Sequence, residues 1–73
     1  MTHAPLTDEE KTRYQRELLT LQTEHRDLDE VITHLQEFPP SDELLAPRLK
    51  KRKLQLRDQI WKLETLLTPD EHA

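Results

Sequence analysis

Few side chains in this chain could do chemistry, and they fall into two groups. His25 follows Glu24 and precedes Asp29 by four residues, so on a helix His25 and Asp29 share a face. An imidazole beside carboxylates can serve as a pH-sensitive group or as one ligand of a metal ion. A metal site needs two or three further convergent ligands, and His34 lies off that face, within reach only of Glu30. The simpler expectation is a polar layer in a helical seam, with His25 hydrogen-bonded to Asp29 or a neighbour and fixing the register. No metal and no cofactor is expected.

The second group is the basic run Arg48, Lys50, Lys51, Arg52 and Lys53, followed by Arg57. Residues 48–58 hold six basic side chains against the single acid Asp58, whereas residues 8–37 hold nine acids against four bases. Such a run could contact nucleic acid or another anionic surface. It could equally lie along the acidic segment of its own chain. The net charge of −4, the lack of aromatic residues inside the run and its spread around a helix favour internal pairing. Arg48, Lys50, Lys51, Arg52 and Arg57 are the candidate contacts for nucleic acid, and Lys53 is expected in the seam with His25 and Asp29.

Other chemistries find no support. Nothing is arranged as nucleophile, base and orienting group, and a hairpin offers no ligand-sized pocket before assembly, so no enzyme is expected. The chain has no Gly, which removes the residue that phosphate-cradling loops and tight β-turns need. It has no Cys, hence neither disulfides nor thiolate ligands. No apolar run approaches the ~20 residues of a membrane span, and a cytoplasmic protein is the expectation.

The elements that position these groups are helices. Leu, Glu, Lys, Arg and Gln are plentiful and 36% of residues are charged, a composition suited to long amphipathic helices. Residues 1–6, with Pro5, read as a disordered leader. Thr7-Asp8-Glu9-Glu10 has the form of a capping box and should start a first helix over about 8–37. That helix must end before Pro39-Pro40. Residues 38–46 are read as a turn, with Ser41 capping a short turn and Pro47 opening a second helix over about 47–67; a kinked continuous helix from Asp42 is the alternative. Residues 68–73 are read as a disordered tail.

Both helices carry an apolar seam. In the first it runs Tyr14, Leu18, Leu21, His25, Leu28, Ile32, Leu35, spaced alternately by four and three. In the second it runs Ala46, Leu49, Lys53, Leu56, Ile60, Leu63, Leu67. Folding the chain back at Pro40-Ser41 pairs residues whose numbers add to about 81, and every layer then joins an a position to a d position. On the flank, Asp29 is expected near Lys50. The fold class is therefore all-α, an antiparallel two-helix coiled-coil hairpin. So small a core, without disulfides, usually needs reinforcement. A homo-oligomer is expected, two hairpins forming a four-helix bundle.

Apolar residues outside the seams supply the candidate interface: Leu54 and Trp61, seven apart on one side of helix two, with Leu19, Leu45 and Leu66. The functional expectation is a self-associating protein-interaction module, adaptor or regulator, with a protein partner besides itself. The alternative is a nucleic-acid-associated protein using Arg48 to Arg57.

Two segments, E-H-R-D-L-D-E-V-I at Glu24 to Ile32 and R-L-K-K-R-K-L-Q-L-R-D-Q-I at Arg48 to Ile60, joined by a short Pro/Asp-containing turn, resemble the YdcH-like family of small bacterial proteins of unknown function. The chain departs from that pattern in the density of Lys51-Arg52-Lys53 and in Pro39-Pro40 before the turn. The resemblance implies a small cytoplasmic helical hairpin and adds no activity. It marks Glu24, His25, Leu28, Asp29, Lys50, Lys53, Leu54 and Asp58 as positions of interest.

Overall fold

Thr7 sets the start of the first helix. Its hydroxyl accepts from the Glu10 backbone N–H at 3.1 Å, and its own N–H donates to Glu10 Oε1 at 3.0 Å. Two backbone donors that a helix leaves unpaired at its start are thereby satisfied. The Glu10 carboxyl is held below its usual range, chiefly by the bond from the Thr7 backbone and next by the Thr7 side chain. Asp8, Glu9 and Glu10 also place negative charge at the positive end of the helix dipole.

A computed structural model of the chain describes residues 5–68. The leader and tail expected at 1–6 and 68–73 lie mostly outside them. The two helices are α1, Asp8–Glu37, and α2, Leu45–Leu67. They pack antiparallel along most of their length in a rod of 52 × 21 × 17 Å. Phe38 ends α1 with its backbone turned out of the helical region, at φ −125° and ψ 79°, as proline disfavours a helical residue before it, and its N–H still donates to the His34 carbonyl at 2.8 Å.

The second helix begins earlier than its proline suggested. It starts at Leu45, with Leu44 as the flanking residue, and not at Pro47. Ser41 is not the cap. Asp42 takes that part, accepting the Leu44 N–H on Oδ1 at 3.0 Å and the Leu45 N–H on its backbone carbonyl at 3.2 Å. Arg48 then sits 4.0 Å from Asp42 Oδ2. Pro47 is the third helical residue, still within the first turn, where a missing N–H forfeits no helical bond.

Burial follows the two seams. In α1 the sheltered residues are the seven seam positions from Tyr14 to Leu35, plus Glu10 folded back into its cap. In α2 they are the seven from Ala46 to Leu67, plus Leu45. Among the described residues only Leu21, Ile32 and Leu56 are buried outright. Each helix has one neighbour, so only one stripe per helix can be covered, and the core is a single layer of side chains. The oligomeric bundle is not part of this single-chain fold.

Thr7→Ala should remove the hydroxyl half of the cap while leaving the residue-7 N–H to Glu10, and lower stability by about 1 kcal/mol, read as a lower urea midpoint with helix content retained. Because the cap depresses the Glu10 carboxyl, its contribution is present above the ordinary carboxylate range and fades as pH falls through the folded value. Glu10→Gln, which removes the titrating group, should therefore flatten this part of the acid limb.

Candidate interaction surface

The polar layer at mid-seam is built differently from its simplest reading. Lys53, at a seam position of α2, reaches Asp29 of α1 and forms a charged hydrogen bond with Oδ1. Asp29 therefore pairs with Lys53, one residue from the expected register, and not with Lys50. Its carboxyl is held below the usual range by that hydrogen bond first and by the lysine charge second. With Asp29 engaged, His25 is left without its expected acceptor or donor: Nε2 is buried and makes no hydrogen bond. A lysine can leave its stem in the seam and carry its ammonium to the edge, but an imidazole on a short stem cannot.

Along this edge the helices leave a shallow groove of about 360 Å³. His25, Asp29 and Ile32 line it from α1, and Lys50, Lys53, Leu54 and Arg57 from α2. Helical geometry extends the same side of the molecule to Leu19 on α1 and to Trp61 on α2, one heptad from Leu54. Leu19 is 65% exposed, Leu54 52% and Trp61 66%. The opposite side holds Leu66 with Val31 and Phe38, also exposed. The five residues anticipated as one interface thus separate between two sides. Leu45 is half-buried. Phe38 and Leu44 are exposed apolar residues that sequence reasoning missed. Phe38 rests beside His34, with ring centroids 5.0 Å apart, and the adjacent pair Leu44-Leu45 could have flagged Leu44, since neighbours on a helix cannot both face inward.

The basic run divides in two. Arg48 faces Asp42, Arg52 lies 3.4 Å from Glu24 across the hairpin, and Lys53 is paired with Asp29. Among the described residues Lys50, Lys51 and Arg57 enter no ion pair. No three His, Asp or Glu side chains converge as metal ligands among those residues, and no described helix is long and apolar enough to cross a membrane.

Fold and surface together define a small all-α helical hairpin with a polar layer in its seam and exposed apolar residues on its flanks. The chain belongs to the family described as Protein of unknown function (DUF465), whose profile matches residues 18–64. This is the YdcH-like family that its two segments resemble. The matched stretch takes in the polar layer, the turn, the basic run and Trp61, and leaves out the Thr7 cap. No curated protein and no solved structure matches the chain.

His25→Leu should stabilise the hairpin by about 1–2 kcal/mol, since a buried polar atom without a partner costs that order; urea unfolding measures it. Loss of folding would show that the imidazole makes bonds in solution which outweigh its burial. Acid should act through Asp29. Its lowered carboxyl contributes stability above the ordinary carboxylate range and loses it as pH falls through the folded value. Asp29→Asn should flatten that acid limb in a pH series of thermal melts.

Proposed function

We propose that this protein is a self-associating helical hairpin that works as a protein–protein interaction module, with no catalytic activity of its own. The observation that carries the reading is the exposure of Leu54, Trp61 and Leu19 on one side of a hairpin that, among its described residues, buries only three side chains outright. A tryptophan left two-thirds exposed beside a leucine is costly on so small a body, and contact with a further surface removes that cost. Pairing two hairpins over this side gives a four-helix bundle, in which a second layer of core forms between copies. Recognition of another protein would use the same chemistry, helix face against helix face.

The nucleic-acid reading has less support. Three of the six cations in residues 48–57 are already matched by acids of the same chain. The remaining three have no aromatic residue interleaved with them for base stacking.

Size-exclusion chromatography with light scattering, with absorbance followed at 260 and 280 nm, tests the reading. The expected result is a clean peak at two or four chain masses, which Trp61→Ala shifts toward one. An assembly unchanged by Trp61→Ala would remove Trp61 from the interface. A peak with excess absorbance at 260 nm that is lost in high salt would instead assign Lys50, Lys51 and Arg57 to phosphate contacts.

A further inference from the structure

Leu19 at 65% and Trp61 at 66% are the two most exposed large apolar side chains among the described residues. They also stand at one level of the rod. The seam layers Leu18–Leu63 and Leu21–Ile60 enclose that level, and the Lys53–Asp29 contact fixes the register of the helices to within a residue. Both lie on the groove side, one on each helix. We infer that the occupant of this face is a second copy of the chain, related by a two-fold axis that crosses the rod at the level of Leu19 and Trp61. Each helix then runs antiparallel to its own copy, and the two turns point to opposite ends. The two Leu19 and two Trp61 side chains form one apolar layer between the hairpins. This inference rests on the self-association proposed above and adds to it the orientation and the register.

Charge places the axis at the same level independently. In an antiparallel pair about a two-fold axis, each flank of a helix meets the same flank of the partner. On α2 the flank of the Leu54–Trp61 line nearer α1 carries Lys50, Arg57 and Glu64, at intervals of one heptad. An axis midway between Lys50 and Arg57 sets those two cations together. One level with Arg57 sets it against its own copy, and one level with Glu64 does the same for the carboxylates. Of these registers, only an axis midway between Arg57 and Glu64 joins opposite charges and no like ones, twice over by symmetry. That midpoint falls between Ile60 and Trp61.

The groups around this level fit the register. Arg57 and Glu64 are exposed and enter no ion pair among the described residues. At the same levels α1 contributes Gln22 and Gln15, uncharged amides able to donate and accept between the ions. On the outer flank of α2, Asp58 meets the partner's Thr65. The interface thus has an apolar layer at its centre, closed above and below by an ion pair and two amides. Leu54, a heptad from the axis, meets the end of the partner's α2. Farther out, Asp8 and Glu9 reach the level of the partner's Asp29 and Glu30, where the partner's Lys50 and Lys53 supply the opposite charge. A self-complementary contact of this kind closes at two copies.

The test uses exposed positions outside the hairpin's seam. Arg57→Glu alone sets carboxylate against carboxylate at both contacts with Glu64, and Glu64→Arg alone sets guanidinium against guanidinium. Each should weaken self-association by about tenfold at low salt, with circular dichroism unchanged. The double variant Arg57→Glu/Glu64→Arg should restore wild-type association, because both contacts are again opposite in charge. Lys51→Glu, the same change of charge on the other flank, should leave association as it is. The readout is mass by light scattering across a dilution series. A wild-type chain at one chain mass throughout overturns self-association itself, and this register with it. A wild-type dimer whose single variants associate as tightly as wild type overturns the register and leaves self-association standing. So does a double variant that fails to recover, or a loss on Lys51→Glu equal to that on Arg57→Glu.

Discussion

A pair of helices has one line of contact, and everything else in this molecule follows from that restriction. The four-and-three spacing of Tyr14 to Leu35 and of Ala46 to Leu67 puts seven residues of each helix on that line. The next residues around each helix face water whatever their character. In a larger domain a surplus Leu or Trp would meet a third element; here Leu19, Leu54 and Trp61 have none. The fold therefore makes exposed apolar surface unavoidable for any sequence that carries more large apolar residues than seam positions.

The same restriction explains why the seam tolerates a polar layer. An all-apolar seam with a heptad repeat is nearly degenerate, because sliding one helix by seven residues restores the same contacts. Asp29 and Lys53 break that degeneracy. Moved by one heptad either way, Lys53 would meet Gln22 or Gln36 where it now meets Asp29, and the ammonium would lose its carboxylate. His25 shares the layer and gains nothing from it, since its Nε2 is left without a partner. The layer thus trades some stability for a single register, and the trade is tolerable because Lys53 and Asp29 keep their charged ends near solvent.

How far the sequence foretold this depends on how local each signal is. Seam membership is written directly in residue spacing, so the antiparallel pairing follows from matching two periodic lists. The Thr7 cap is equally local, being a contact between residues three apart. The start of α2 is less legible because Pro47 marks a first turn and not a first residue; the true start depends on the Asp42 turn, whose bonds only coordinates reveal. The Asp29 partner escapes spacing for a different reason. Heptad letters place Cα atoms, but the reach of a lysine stem decides which carboxylate it finds. Being apolar and off the seam is the sequence criterion for an interface residue. It does not distinguish the two sides of a hairpin or notice that Leu45 is half-covered.

Function is the least legible part, and the reason is physical. A catalytic or ligand site announces itself through residues whose chemistry exceeds what folding needs. Here almost every polar group of the interior is accounted for by register, capping or charge balance within the hairpin. What exceeds folding is a small apolar patch with unpaired charges around it. Two large side chains such as Leu54 and Trp61, each contributing about 1.5–3 kcal/mol on full burial, with exposed ion pairs of roughly 0.2–1 kcal/mol, favour association that responds to concentration and salt. If folding and association are linked in this way, the stability of so thin a core rises with the amount of protein present. The hairpin would then be least stable when dilute.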